Sequence, residues 1–527
     1  MRWNPVASRP INHQFSGIAA IRGAMMVMGS TYVTYALGLL ASIIVARSLG
    51  PDDFGRYSYV VWLAGLLIMV GNNGLNATTI RFISESLGRQ SPESARAVHG
   101  WARRRQYACL AVVALAFAAL VPFVMPAGWE GRARVFVALT LAAAIPKALF
   151  MFDASVGKGY GRYGVEAATA VVMSAANIIA VLVLMRIGAG LVAYMALFAA
   201  TSTGYAVSSR LLLRAGGLSP SRERLDPAIL VRLRPHLFWT VILTVAYAFN
   251  NKSIETWLLN DLVGAAAVGY FAIAGALTKG GIEMLSAGLS TVLMPMMAHA
   301  FGEGRDQRAG GIMASAMRYY SFIGLLLGGI GVLVAAPAIH LLYGDDFAPV
   351  ILPFQIMIAI SGLTLADSAL NALLSTTDNQ RVRVIFIVIS LAITAALAFA
   401  LVPRYGLMGA VAAHTGSRLI VFIAIASGIS RMMGMRLPLR ELGRLLAAAF
   451  VASAVAAVLM ATVPGQSTGW VAAVVYALVF AGSSLAFGAW RATDARQLLT
   501  FLAQYPRVHE RWAGPIQRWA ERRPEGN

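Results

Sequence analysis

The sequence predicts an all-α polytopic membrane protein of about 14 transmembrane helices: two pseudo-symmetric six-helix bundles plus two extra C-terminal helices. Three observations carry this. Fourteen long apolar stretches succeed one another along the chain, basic residues concentrate in alternate loops, and part of the pattern repeats after 214 residues.

The stretches are roughly 22–46, 57–80, 107–126, 135–155, 164–185, 189–209, 237–260, 268–297, 318–343, 351–376, 384–402, 405–430, 445–463 and 469–490. Each is about 19 residues or longer, enough to cross a ~30 Å hydrocarbon layer at 1.5 Å per residue. They are continuously apolar rather than alternating, so they read as helices whose backbones satisfy their own hydrogen bonds in lipid. Composition agrees: 58% hydrophobic residues against 13% charged ones, with mean hydropathy +0.69.

The net charge of +20 would suggest nucleic acid in a water-soluble chain. Here it reads as an orientation signal facing anionic inner-leaflet lipids. No RNA-recognition motif, zinc pattern or basic linear patch supports nucleic acid as a partner, and no metal or cofactor motif is present. The single cysteine, Cys109, excludes an internal disulfide. Residues 1–20 lack the apolar core and cleavage site of a signal peptide.

With the N-terminus placed inside, cytoplasmic loops and ends hold 34 of the 43 Lys and Arg residues, counting Lys147 with loop 4–5. The opposite side holds six: Arg47, Arg56, Arg132, Arg134, Arg186 and Arg404. Lys252, Lys279 and Arg418 lie inside spans. So strong an asymmetry places both termini in the cytoplasm and requires an even number of spans.

A shift of 214 residues puts Gly50, Gly55, Gly74 and Gly88 on Gly264, Gly269, Gly288 and Gly302 without a gap. Both copies run span, short outer turn, span, cytoplasmic loop. The expected organisation is an N-terminal six-helix bundle (1–209), a cytoplasmic linker containing Pro220, Pro227 and Pro235 (210–236), and a C-terminal bundle (237–430). Spans 13 and 14 (431–490) and a basic tail (491–527) complete the chain. Parallel repeats enclosing a site are a transporter architecture.

The run Ile44-Val45-Ala46-Arg47-Ser48-Leu49-Gly50-Pro51-Asp52-Asp53-Phe54-Gly55-Arg56-Tyr57 resembles the first outer turn of the polysaccharide-transport flippases. These form the Wzx or O-antigen-flippase group of the multidrug/oligosaccharidyl-lipid/polysaccharide exporter superfamily. Val263-Gly264-Ala265-Ala266-Ala267-Val268-Gly269-Tyr270-Phe271 resembles the same group at the turn from span 7 to span 8. The resemblance implies a flippase of the bacterial inner membrane that moves a lipid-linked oligosaccharide for O-antigen, exopolysaccharide or capsule biosynthesis. It also implies membrane lipids, a polysaccharide polymerase and a chain-length regulator as partners. Span 1 reads Thr34-Tyr35-Ala36-Leu37-Gly38-Leu39-Leu40-Ala41 and lacks the arginines that lipid II flippases carry there, which argues against lipid II. A cation-coupled multidrug exporter of the same superfamily is the alternative. A membrane polymerase or ligase would need a sizeable outer loop for catalytic residues, and every outer loop is short; no ATP-binding loop motif occurs either. The reading is a transporter, not an enzyme.

Charges inside spans mark candidate sites, because burying an ion in lipid costs several kcal/mol unless it is paired or hydrated. Lys252 and Glu255 share a face of span 7, Lys279 and Glu283 a face of span 8 around Gly280 and Gly281. Asp367 and Asn371 share a face of span 10, His414 and Arg418 a face of span 12. Candidate substrate contacts are Arg418, Lys279, Arg47, Lys252, Asn72 and Asn76; candidate coupling residues are Asp367, Glu283, His414 and Glu255. Structural alternatives stay open at these positions. The Lys–Glu pairs are also readable as structural ion pairs, Arg47 as a cation snorkelling to headgroups, and Asn72 and Asn76 as interhelical hydrogen-bonding groups. Lys279–Glu283 is also readable as a locally unwound helix lining a cavity. Arg418 has no acid on its own helix, and Asp367 is its expected protein partner. Trp512 and Trp519 among the tail arginines read as an amphipathic helix on the inner leaflet.

Overall fold

The computed structural model describes residues 17–121, 129, 131–251, 254–286, 306–376, 380–433, 437–463, 465 and 468–491, with isolated positions at 293–299 and beyond 493. Lys252, Trp512 and Trp519 lie outside them. The described residues form helices α1 (Gly17–Asn72), α2 (Leu75–Gly88), α3 (Pro92–Leu120), α4 (Ala133–Gly159), α5 (Gly164–Arg186), α6 (Leu191–Ala215), α7 (Pro227–Asn251), α8 (Ile254–Leu262) and α9 (Ala265–Thr278). After a π turn come α10 (Asp306–Leu342), α11 (Ile351–Leu363), α12 (Asp367–Thr376), α13 (Gln380–Met433), α14 (Leu439–Thr462) and α15 (Thr468–Ala486), with no strand among the described residues.

Eleven stretches are long and apolar enough to cross a membrane. Two of them, Met25–Asn72 and Ile385–Arg431, are double crossings bent at Gly50 and Gly406. Adding α3, whose first half carries Glu93, Arg96 and Arg103–Arg105 and which stands where the third span is expected, brings the candidate crossings among the described residues to fourteen. The fold is therefore that of an all-helical, multi-pass membrane protein. The helices extend into the segment expected as a linker: α6 runs to Ala215 and α7 starts at Pro227.

Glycine makes the turns on the side expected to face outward, the outer turns of the sequence reading. Gly50 (φ 72°, ψ 175°), Gly264 (φ 123°, ψ 173°) and Gly344 (φ 92°, ψ 177°) adopt one conformation that a Cβ disfavours. Gly131, Gly188 and Gly406 also have positive φ. Taken in order, the six fall into pairs separated by 214, 213 and 218 residues. The ungapped shift catches only the first pair, because small length differences displace the other two.

The chain divides into two compact units. The first contains Met1–Gly280, Leu342–Pro353 and Arg381–Ser417, and so holds all six outer glycines. In it α1 packs on α5 and α9, and α4 on α6. A core of Phe82, Ile83, Val98, Phe152, Leu213 and Leu233 fills one end. At the outer turns Gly55 lies against the Ala265 backbone, and a Cβ on Gly269 would come within 3.2 Å of the Gly55 Cα. Residues 214 apart in sequence thus touch. Phe347 packs edge-on against Phe54 at 6.2 Å and against Tyr270 at 6.2 Å, closing an aromatic cluster over the glycines.

The second unit contains Gly281–Leu341, Phe354–Gln380 and Arg418–Asn527. Small residues bring its helices together: a Cβ on Gly324 would overlap the Gly362 carbonyl. Tyr476 lies against Gly329 and donates a 2.9 Å hydrogen bond to the Leu325 carbonyl. Arg318, almost fully buried, pairs with Asp494 at 2.7 Å.

Gly55→Ala should drive a methyl into the Ala265 backbone, where no flexible side chain can yield. Overpacking of this kind costs about 1–3 kcal/mol. Thermal unfolding of the detergent-solubilised protein should show a lowered midpoint for Gly55→Ala and none for Gly88→Ala, where a Cβ meets nothing within 4 Å. Equal midpoints would contradict the packing account.

Candidate translocation site

The second unit collects three of the candidate residues around the start of its first segment. Lys279–Glu283 is a π turn, a local irregularity around Gly280–Gly281. A π turn inserts a residue into the helical register and re-aims the side chains after it. Glu283, at its end, accepts from an Arg418 Nη1 on α13, 135 residues away. Both side chains keep about a third of their surface, 33% for Arg418 and 32% for Glu283.

Arg418 therefore pairs with Glu283, and the expected Asp367 partnership is corrected. Asp367, at the first turn of α12, instead accepts from the Asn371 side chain at 2.7 Å on its own helix. Its Oδ1 is buried without a hydrogen-bond partner. Ser286, one turn beyond Glu283, hydrogen-bonds to Ser368 beside Asp367. Among the described residues, Glu283 and Asp367 thus share a neighbourhood with Arg418.

In the first unit Glu255 on α8 is fully buried, and its Oε1 lies 3.6 Å from His414 Nδ1. Phe271 meets the His414 ring edge-on at 5.9 Å. The same-helix pairing of Lys279 with Glu283 does not form. Lys279 is exposed and has no ion-pair partner among the described residues. Arg47, at the Gly50 end of the first crossing, is exposed and has no ion-pair partner among the described residues. Asn72 is buried and accepts a 2.9 Å hydrogen bond from Gln106. Asn76 is half-buried, its Oδ1 lacking a hydrogen-bond partner.

Sequence reasoning misses a second polar centre in the first unit. Asp153 in α4 is almost fully buried and accepts from Arg103 in α3 and, at 3.1 Å, from Ser209 in α6. By charge counting Arg103 is a solvated loop cation; the length of α3 carries it inside instead. Lys147 is counted the same way, yet it lies within α4 with its ammonium 3.1 Å from the Tyr205 ring centre. The available signal is Asp153 itself, an acid inside an apolar stretch that demands a cation from elsewhere.

The sequence profile described as "Polysaccharide biosynthesis protein" matches residues 20–301. The chain belongs to this family. No curated protein matches it significantly. Among solved structures it is similar to a lipid II flippase in an inward closed conformation, at TM-score 0.69 and 12% identity over 88% of this chain and 98% of that one. It is also similar to an inward-facing multidrug-resistance transporter, at TM-score 0.61 and 16% identity over 76% of this chain and 95% of the other. It is similar too to a MOP superfamily transporter from Pyrococcus furiosus, at TM-score 0.54 and 15% identity over 81% of this chain and 99% of that one. These likenesses establish the shared fold.

Arg418→Ala should leave Glu283 without its cation and lower yield and thermal stability. The loss expected is about 1–3 kcal/mol, less than for a fully buried pair because both groups are partly hydrated. Glu283→Gln in the same chain should restore much of it, whereas Asp367→Asn should not. Rescue by Asp367→Asn alone would reverse the assignment.

Proposed function

We propose that this chain flips a polyprenyl-pyrophosphate-linked oligosaccharide from the inner to the outer leaflet of the bacterial cytoplasmic membrane, for surface polysaccharide biosynthesis. Family membership supports the transport of a polysaccharide precursor. The observation that carries the mechanism is the Glu283–Arg418 pair at a π turn, with Asp367 close by. A guanidinium offers a planar fork to phosphate oxygens. A substrate phosphate arriving at Arg418 competes with Glu283, and a carboxylate that loses its contact with the guanidinium binds a proton more readily. Glu283 and Asp367, with His414 and Glu255 as a second acid–base pair, are the coupling residues of this reading. Membrane potential acting on the anionic headgroup adds ~2.3 kcal/mol per charge per 100 mV.

The paired outer glycines and the Gly55–Gly269 contact support two repeats, 1–209 and 237–430, working by alternating access with both termini in the cytoplasm. The glycan would travel through the protein while the polyprenyl tail stays in lipid. Glycan polymerisation and chain-length control would belong to other proteins.

The presence of two carboxylates, Glu283 and Asp367, at the site favours one second reading, a cation-coupled exporter of organic cations. The two separate in cells. Deleting the gene should accumulate a lipid-linked oligosaccharide on the inner leaflet and strip surface polysaccharide, with drug susceptibility unchanged. Arg418→Lys should restore part of the export, since lysine keeps the charge but loses the bidentate fork. Normal surface polysaccharide with raised drug sensitivity would favour the exporter.

A further inference from the structure

A cavity of about 380 Å³ opens within the first unit where α2, α3 and α7 meet. Its position arises from a break in the chain. Asn73 and Gly74 both have positive φ (41° and 72°) and separate α1 from α2. Gly74 also lets α7 approach closely, since a Cβ there would come within 2.9 Å of the Thr240–Val241 backbone. The walls are apolar: Leu75, Trp101, Leu237 and Val241, with Phe238 largely exposed at the edge.

Asn73, Arg105 on α3 and Arg234 on α7 also line this almost wholly apolar space, so the two arginines give its wall chiefly their alkyl stems. Both are exposed, and neither has an ion-pair partner among the described residues. Arg105 stands 5.6 Å from the Trp101 ring centre, which steadies its fork by cation–π contact. Nearby cations are already engaged: Arg232 binds Glu85 through two bonds of 2.6 and 3.1 Å, and Arg81 reaches His236 at 2.8 Å. Phe238 (61% exposed) and Trp239 (60% exposed) continue the apolar surface outward beside Arg234.

An apolar hollow walled in part by two arginine stems, whose charged ends are exposed, is complementary to an amphiphile with a strongly anionic head and an apolar chain. We propose that this cavity is a loading site for the pyrophosphate end of a polyprenyl lipid, with Arg105 and Arg234 gripping the head and the first part of the chain lying along Leu75, Leu237 and Val241. The proposal rests on the flippase reading. A pyrophosphate matches two guanidiniums better than the single phosphate of a diacyl phospholipid does, and the hollow suits one chain better than two. The positive-inside charge pattern puts these ends of α3 and α7 at the inner leaflet, where such a lipid is made available.

Cys109, the sole cysteine of the chain, lines the same cavity and is partly accessible, so it reports occupancy directly. Purified protein in lipid nanodiscs would be alkylated with a maleimide in the presence of a synthetic polyprenyl pyrophosphate, of phosphatidylglycerol, or of inorganic pyrophosphate. The polyprenyl pyrophosphate should slow alkylation of the wild-type protein, and the other two should not. Combining Arg105→Ala with Arg234→Ala should raise the lipid concentration needed for equal protection by about tenfold or more. The Lys/Lys variant should fall between. Because both arginines are exposed, the double variant should elute as a single species and unfold like the wild type. Equal protection in the double variant, protection by phosphatidylglycerol or inorganic pyrophosphate alone, or no protection by the polyprenyl lipid would each overturn the site. None of these bears on whether the deletion strain loses surface polysaccharide, so the two proposals can fail separately.

Discussion

A bilayer offers neither backbone nor charge a hydrogen-bond partner, and this constraint shapes every level of the molecule. The backbone answers with helices alone among the described residues. Buried ions answer by finding one another across helices: Arg103 with Asp153, Arg318 with Asp494, Arg418 with Glu283. Where the chain must reverse direction, glycines with positive φ do so in very few residues. The rest of the architecture comes from satisfying these demands together.

The ion pairs are not equivalent. Arg103–Asp153 and Arg318–Asp494 are nearly sealed from solvent and have further hydroxyl partners in Ser209 and Tyr319. Breaking such a pair strands a charge, so these pairs fix helix positions. Glu283–Arg418 is a third exposed and sits at a helix irregularity, which makes its exchange with an arriving anion far less costly. Burial therefore separates the two pairs that hold the fold from the one left open to exchange.

The fold is legible in the sequence because hydropathy and charge asymmetry act locally along the chain. The fourteen crossings, the π turn at Gly280–Gly281 and the equivalence of Gly50 with Gly264 all come from short-range signals. Ion-pair partners do not. Arg418 and Glu283 are 135 residues apart, and only packing decides that Glu283 rather than Asp367 reaches the guanidinium. Same-helix spacing suggests Lys279 for Glu283, but the π turn re-aims the side chains beyond it. Arg103 escapes sequence reasoning for a related reason: the apolar stretch drawn from hydropathy begins after it, whereas α3 carries it against Asp153. Lys147 lies inside the stretch 135–155 and is counted with a loop only because it is a cation, yet Tyr205 offers it an aromatic face.

The central claim is that the protein moves a lipid-linked glycan between leaflets. Its most direct test is reconstitution of the purified protein into liposomes holding a polyprenyl-pyrophosphate-linked oligosaccharide in both leaflets, with a membrane-impermeant glycosidase outside. The account predicts that protein-containing vesicles expose essentially all of the glycan to the enzyme, while protein-free vesicles expose only the outer-leaflet fraction. Digestion that stops at the outer-leaflet fraction in both would contradict it.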